Sequence, residues 1–298
     1  MKQFSKLTFL FLFAFSFCAI LSAQESNESN DPTESNNDRS GLDFGIEFQQ
    51  PLVQDGAYEK LAEKERIALP YDHIREADVL WSKRLWRVID TREKMNLPFI
   101  NAQQPFISVL LKIIQDNPDV RIFDQDNFYN EAYANDIRER LSSVDTASVY
   151  DYDLDDYVET VTYNDFDPSA YTKFRLKEDW LFDEETSMMV CRIIGLAPIK
   201  DEFNEDGSYR GQSALFWVYY PEIRDHLAKT EATNPYNDAI KMSWHKVFED
   251  RYFSSYIMKE SNPRDRRIED YSTGRDALKE GERINETILN QEVDLWSY

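Results

Sequence analysis

The sequence predicts an α+β fold: a single domain with an antiparallel β-meander packed against helices, a disordered N-terminal leader and an extended C-terminal helix or tail. Three observations carry this. Residues 171–220 read as three strands joined by short turns. Apolar residues at helical spacing stand on both sides of that block. The chain is 298 residues long, 42% hydrophobic and 14% aromatic, enough for a sizeable core.

The N-terminus sets the address. Lys2 and Lys6 precede the apolar run 7–21, and Ser22-Ala23 follows with small residues, so residues 1–23 are expected to be a cleavable secretory signal. The run is about 15 residues, shorter than the roughly 20 of a spanning helix. Phe15-Ser16-Phe17 before Cys18 lacks the small residues of a lipoprotein signal. Residues 24–56, rich in Ser, Asn, Asp and Glu, read as a disordered acidic leader. Within it Leu42, Phe44, Ile46 and Phe48 alternate, as in an extended segment that docks on a sheet edge or another subunit.

The α+β core is placed at 57–262. Ile74, Ala77, Trp81, Leu85, Val88 and Ile89 recur at helical spacing, predicting a helix over 72–94. Pro105 opens a second, largely apolar helix that stops before Asn117-Pro118. A short strand is expected at 120–123, a helix at 130–143, an acidic loop at 151–156 and a strand at 157–164. Thr172, Phe174, Leu176 and Trp180 share one parity, while Lys173, Arg175, Lys177 and Asp179 share the other, the pattern of a half-buried strand. A second strand runs through Cys191, Asp206-Gly207 makes a hairpin turn, and 212–220 forms a third strand. Pro221 opens a helix to about 228, and a core helix is expected over 237–258. The charged tail, 263–298, carries a weakly amphipathic helix over 276–296. Its apolar residues, among them Leu278, Ile284, Ile288 and Leu295, look too sparse for a core helix and suit a partner groove or a solvated tail. Phe44, Ile46, Phe48, Ile284, Ile288 and Leu295 are therefore the candidate interface residues.

Composition restricts function. With 34 basic and 56 acidic residues the net charge is −22, which repels nucleic-acid phosphates and anionic headgroups. After Cys18 leaves with the signal, Cys191 is alone, so no intrachain disulfide is expected; within MMVCRII it reads as a buried, inert thiol. His73, His226 and His245 have no HExxH spacing. Gly211-Gln212-Ser213 lacks the closing glycine of a nucleophile elbow. Glu202 to Gly207 resembles half an EF-hand loop, but Ser213 stands where the bidentate Glu is needed. Asp151, Asp153, Asp155 and Asp156 could gather a cation, with a solvated acidic loop as the default. No catalytic constellation assembles, and no cofactor or metal is expected. Six tryptophans and 17 tyrosines leave association as the remaining theme.

Three blocks carry a family resemblance: ADVLWSKRLWRVIDTREKMNLPF at 77–99, DWLFDEETSMMVCRIIGLAPIKDEF at 179–203 and LFWVYYPEIRDHL at 215–227. Over roughly 58–270 the chain resembles the GldN/PorN family of Bacteroidota gliding and type IX secretion proteins. The leader and the final helix look lineage-variable. The resemblance implies a non-enzymatic subunit of a periplasmic ring, self-associated, without direct membrane insertion. It implies partners in the outer-membrane lipoprotein GldK/PorK and the motor proteins GldL/PorL and GldM/PorM, and a place at the inner face of the outer membrane. The alternatives are a free periplasmic module that binds a glycan or peptide, and a hydrolase using Asp153 and Asp155.

Overall fold

The computed structural model describes residue 46 and residues 66–141, 143–151, 156–164, 166–204, 206–235, 237 and 239–296. The expected signal, most of the leader and the tip of the acidic loop lie outside the described residues.

Strand β1 (Val79–Asp90) occupies the place where a helix was expected. Residues 85–90 are buried on both faces, so no polar alternation betrays the strand. Leu85, Arg87 and Ile89 take one side, and Trp86, Val88 and Asp90 the other. Helix α1 (Phe106–Asp116) follows Pro105, as expected, and the Asn117 side chain donates to the Ile113 carbonyl at its end. Then come β2 (Ile122–Phe123), α2 (Ala134–Leu141) and the hairpin of β3 (Ser143–Asp151) with β4 (Asp156–Asn164).

The meander begins with β5 (Lys173–Asp183) and the long β6 (Met188–Phe203). The expected third strand splits into β7 (Tyr209–Ala214) and β8 (Trp217–Tyr219). The Asp206-Gly207 turn is present, with Gly207 at φ +77, where a side chain would be strained. Helix α3 (Tyr220–Lys229) leads to β9 (Glu231–Ala232), which pairs with β10 (Met242–Ser243). The long helix expected over 237–258 reduces to α4 (Trp244–Glu249). The Ser243 hydroxyl accepts from the Lys246 amide and starts it. Arg251, at φ +54, follows its end, and the chain returns as β11 (Tyr256–Glu260). Helix α5 (Arg275–Trp296) closes the described chain.

Among the described residues, seven strands form one antiparallel sheet in the order β11-β1-β5-β6-β8-β2, with β7 also on β6. Strand β6 pairs along β5 by one edge and divides its other edge between β8, at Gly195 and Leu196, and β7, from Ile199 onward. One sheet face, through Ile89, Phe174, Leu176 and Leu196, buries the main core under α1, α3 and α4. Its centre is an aromatic knot in which Phe106 lies 4.4 Å from Trp244 and 5.1 Å from Phe174, ring centre to ring centre. Leu85 shares the parity of Ile89, and it is Leu85, Ile257 and Ile268 that receive Ile284 and Ile288 of α5. The final helix thus docks on this chain's own sheet through Ile284 and Ile288, where a partner groove or a solvated tail was expected. Two isoleucines suffice because Gly281 lets it approach closely: a β-carbon there would stand 3.2 Å from the Ile257 carbonyl oxygen.

The other sheet face holds Trp86, Val88, Phe123, Ala197, Trp217 and Met258. It also buries Lys173, Arg175 and Lys177, so β5 is covered on both faces rather than half-buried. The Lys177 amine donates to the Asp126 carbonyl and lies 5.1 Å from the Phe128 ring, while Trp86 Nε1 donates to the Asp126 carboxylate.

Candidate interaction surface and buried charge network

Among the described residues the most buried carboxylate belongs to Glu178 of β5, wholly shielded from solvent. It accepts from Arg251 Nη1 at 2.9 Å and Trp180 Nε1 at 3.1 Å, and Arg87 Nε stands 3.2 Å away. Arg87 Nη2 also donates to Asn285 of α5. One carboxylate thus joins β1, β5, the turn after α4 and, through Arg87, α5. Burial pulls the Arg87 guanidinium down from its ordinary range, and Glu178 opposes this. Arg251 Nη1 also donates to the Cys191 sulfur at 3.4 Å. Burial, then the Glu178 charge, pushes that thiol well above the ordinary cysteine range, so it is a poor nucleophile. The sequence reading of a buried, inert thiol is met in its inertness, while Cys191 itself is half-buried rather than buried.

A second constellation ties down the segment before β1. Tyr71 lies between two guanidinium groups, 3.4 Å from Arg224 and 4.0 Å from Arg192. Its hydroxyl donates to Glu249 of α4 at 2.5 Å. Arg224 Nη2 donates to the Leu69 carbonyl, and the Ala68 amide donates to Asp225. Desolvation, reinforced by Glu249, raises the Tyr71 phenol above its ordinary range. His245 sits 3.7 Å from Glu249, and burial lowers its pKa; burial also lowers that of His226. His73 is exposed. Among the described residues no group of three His, Cys, Asp or Glu side chains could hold a metal.

The candidate interface residues separate. Ile46 is half-buried and packs against this chain's own main core. Phe44 and Phe48 lie outside the described residues, as does the side chain of Leu295. Ile284 and Ile288 are each 3% exposed, spent on the fold and closed to a partner groove. In the acidic loop Asp151 pairs across the hairpin with Asp156, while Asp153 and Asp155 lie outside the described residues.

Sequence reasoning missed an exposed apolar surface. Met95, Ile240 and Tyr252, each at least half exposed, line a cavity of about 280 Å³ with Pro98, Pro235 and Met242. Lys241 and Lys246 flank it. Met95 lies in a short 3-10 helix ahead of Asn96 and Pro98, and Ile240 in a bend a few residues after Pro235 and Asn237, so neither sits in a strand or long helix that would bury it.

These features define a class: an α+β protein whose buried charges brace its own elements. The family profile for gliding motility associated protein GldN matches residues 74–297, from just before β1 to the end of α5. The chain belongs to the GldN family, as the three sequence blocks implied. The match takes in the final helix, which the sequence alone suggested to be variable. A comparison with curated proteins gave no match.

Proposed function

We propose that this protein is a non-enzymatic structural subunit of the type IX secretion system periplasmic ring, required for surface-protein secretion and gliding. The observation that carries the reading is the family match over 74–297, which takes in the sheet, its helices and the Glu178 network. The Glu178 and Tyr71 constellations support it: their charges bind helices and strap to the sheet, as a rigid building block needs. The partners are the GldK/PorK lipoprotein, which holds the subunit at the inner face of the outer membrane, the GldL/PorL and GldM/PorM motor proteins, and further copies of this chain.

Deletion of the gene with measurement of secreted surface proteins tests the function, and purification from envelopes tests the assembly. Lost secretion together with ring-sized particles containing the lipoprotein is expected. Normal secretion, or a partner-free monomer in the envelope extract, refutes the proposal and favours a free binding module.

A further inference from the structure

The face of the sheet away from the helices carries an arginine whose hydrogen-bonding edge is unused. Arg175 lies mid-strand in β5, between Val88 of β1 and Ala197 of β6, and is only 7% exposed. Its Nε and Nη2 are buried, and neither has a hydrogen-bond partner. Buried polar groups in folded proteins are overwhelmingly satisfied, and a desolvated cation is among the costliest to leave unpaired. The neighbouring cations are engaged: Lys173 with Asp201 at 3.1 Å, Lys177 with the Asp126 carbonyl, and Lys259 with Asp265. Asp126, an acid whose charge acts on Arg175, is committed as well, since it accepts from Trp86. The charged neighbours of Arg175 on the outer side are Arg267 and Glu269, both exposed.

The pair of atoms is informative. Nε and Nη2 form one edge of the guanidinium, the fork that takes two oxygens of a carboxylate or phosphate side-on. In five other described arginines that same edge is filled. Arg84 gives it to Asp179 at 2.6 and 2.7 Å, Arg75 to Asp78, Arg92 to Asp90, Arg121 to Glu222 and Arg283 to Glu280. All five of those arginines are more exposed than Arg175. Two other buried arginines lack ideal hydrogen bonds at Nε, but each still faces a carboxylate: Arg87 faces Glu178 at 3.2 Å and Arg224 faces Glu249 at 3.5 Å. Arg175 has no such partner among the described residues.

We propose that the Nε/Nη2 edge of Arg175 is a binding site for a carboxylate-type oxyanion. Two sources share this chemistry, a free anion and the acidic side chain of a bound protein segment. Lys173 and Lys177, two residues to either side on the same face, add positive potential at about 7 Å, and Arg267 adds more from the exposed side. A chain of net charge −22 thereby keeps one buried guanidinium edge without an acid of its own.

Thermal unfolding of the full chain tests this with sodium acetate, inorganic phosphate and the capped peptide acetyl-Gly-Glu-Gly-amide, each against sodium chloride at equal ionic strength. The wild type is expected to melt at rising temperature as the probe is added, and Arg175→Met to lose that response. Without a probe, Arg175→Met should melt at or above the wild-type temperature, because an unpaired buried cation has been removed. Arg175→Lys keeps the charge but not the fork and should respond at least tenfold more weakly. A response to acetate and phosphate supports a free anion; a response to the peptide alone supports a protein carboxylate. No response in the wild type, an equal response in Arg175→Met, or a full response in Arg175→Lys overturns the proposal. A lower melting temperature for probe-free Arg175→Met also overturns it, since the guanidinium would then be a structural group.

Discussion

Replacing Glu178 with alanine removes the one acceptor that Arg87, Trp180 and Arg251 share. Glu178 is fully buried and Arg87 nearly so, so the released charges cannot turn to water without opening the sheet. Breaking a buried pair from one side costs about 3–5 kcal/mol. That is a large fraction of the roughly 5–15 kcal/mol that holds a domain together. With a urea slope near 3 kcal/mol/M, the unfolding midpoint should fall by about 1–1.7 M. Glu178→Gln keeps the volume and one acceptor, and should lose about 1–3 kcal/mol. Replacing Arg87, Glu178 and Arg251 together by Met, Leu and Met removes all three charges and should be far milder than Glu178→Ala alone, because no orphaned charge remains. Equilibrium urea unfolding followed by tryptophan fluorescence measures each variant. A loss below 1 kcal/mol for Glu178→Ala, or a coupling under about 0.5 kcal/mol between Arg87 and Glu178 in a double-mutant cycle, would show that the network does not brace the fold.

Three further outcomes are expected. Ile288→Ala should destabilise the protein by about 2–5 kcal/mol, whereas Val293→Ala, two-thirds exposed on the same helix, should change it by under 0.5 kcal/mol; denaturant melts separate the two. Gly195→Ala should cost about 1–3 kcal/mol, since its β-carbon would meet the Phe128 ring at 2.6 Å, and Phe128→Leu in the same chain should recover part of the loss in a thermal melt. Tyr171 is buried with no partner for its hydroxyl, and burial pushes it up to about 12. Its folded pKa exceeds the unfolded value, so its contribution is complete below pH 10 and is lost as pH rises from 10 to 12, by roughly 2–3 kcal/mol in all. Tyr171→Phe should flatten stability against pH over that window.

Parts of this architecture were legible because one physical signal dominated. Helix α1 has Pro105 before it and Asn117 after it, and the β6–β7 turn carries Asp206-Gly207. Where two signals competed, the reading failed. Residues 85–90 are sandwiched between helices and the aromatic face, so burial on both sides erased the period of two, and Leu85, Val88 and Ile89 imitated a helix. The charges on β5 looked solvated because sequence cannot show that Asp126, Asp201 and the Phe128 ring would come to cover them. The early end of α4 is a tertiary effect: Arg251 adopts positive φ, and its guanidinium reaches Glu178 on a strand remote in sequence. The sparse apolar positions of α5 undercounted its burial, since Gly281 provides closeness without contributing a side chain. Glu178 itself carried no local sign, because a carboxylate in a strand looks the same whether it meets water or two arginines.

The neighbours of β1 impose an order on assembly of the sheet. Val88 pairs on one side with Arg175 and on the other with Tyr256, and Arg87 then reaches Asn285. The first long strand therefore waits for the last one before its second edge is satisfied, and the helix that locks it is the final element of the described chain. Such non-local pairing slows folding, because the loop-closure entropy must be met before the contacts reward it. A chain emerging from its N-terminus would hold β1 as an open template until residue 260 arrived, so completeness of the polypeptide is itself a condition for the native sheet.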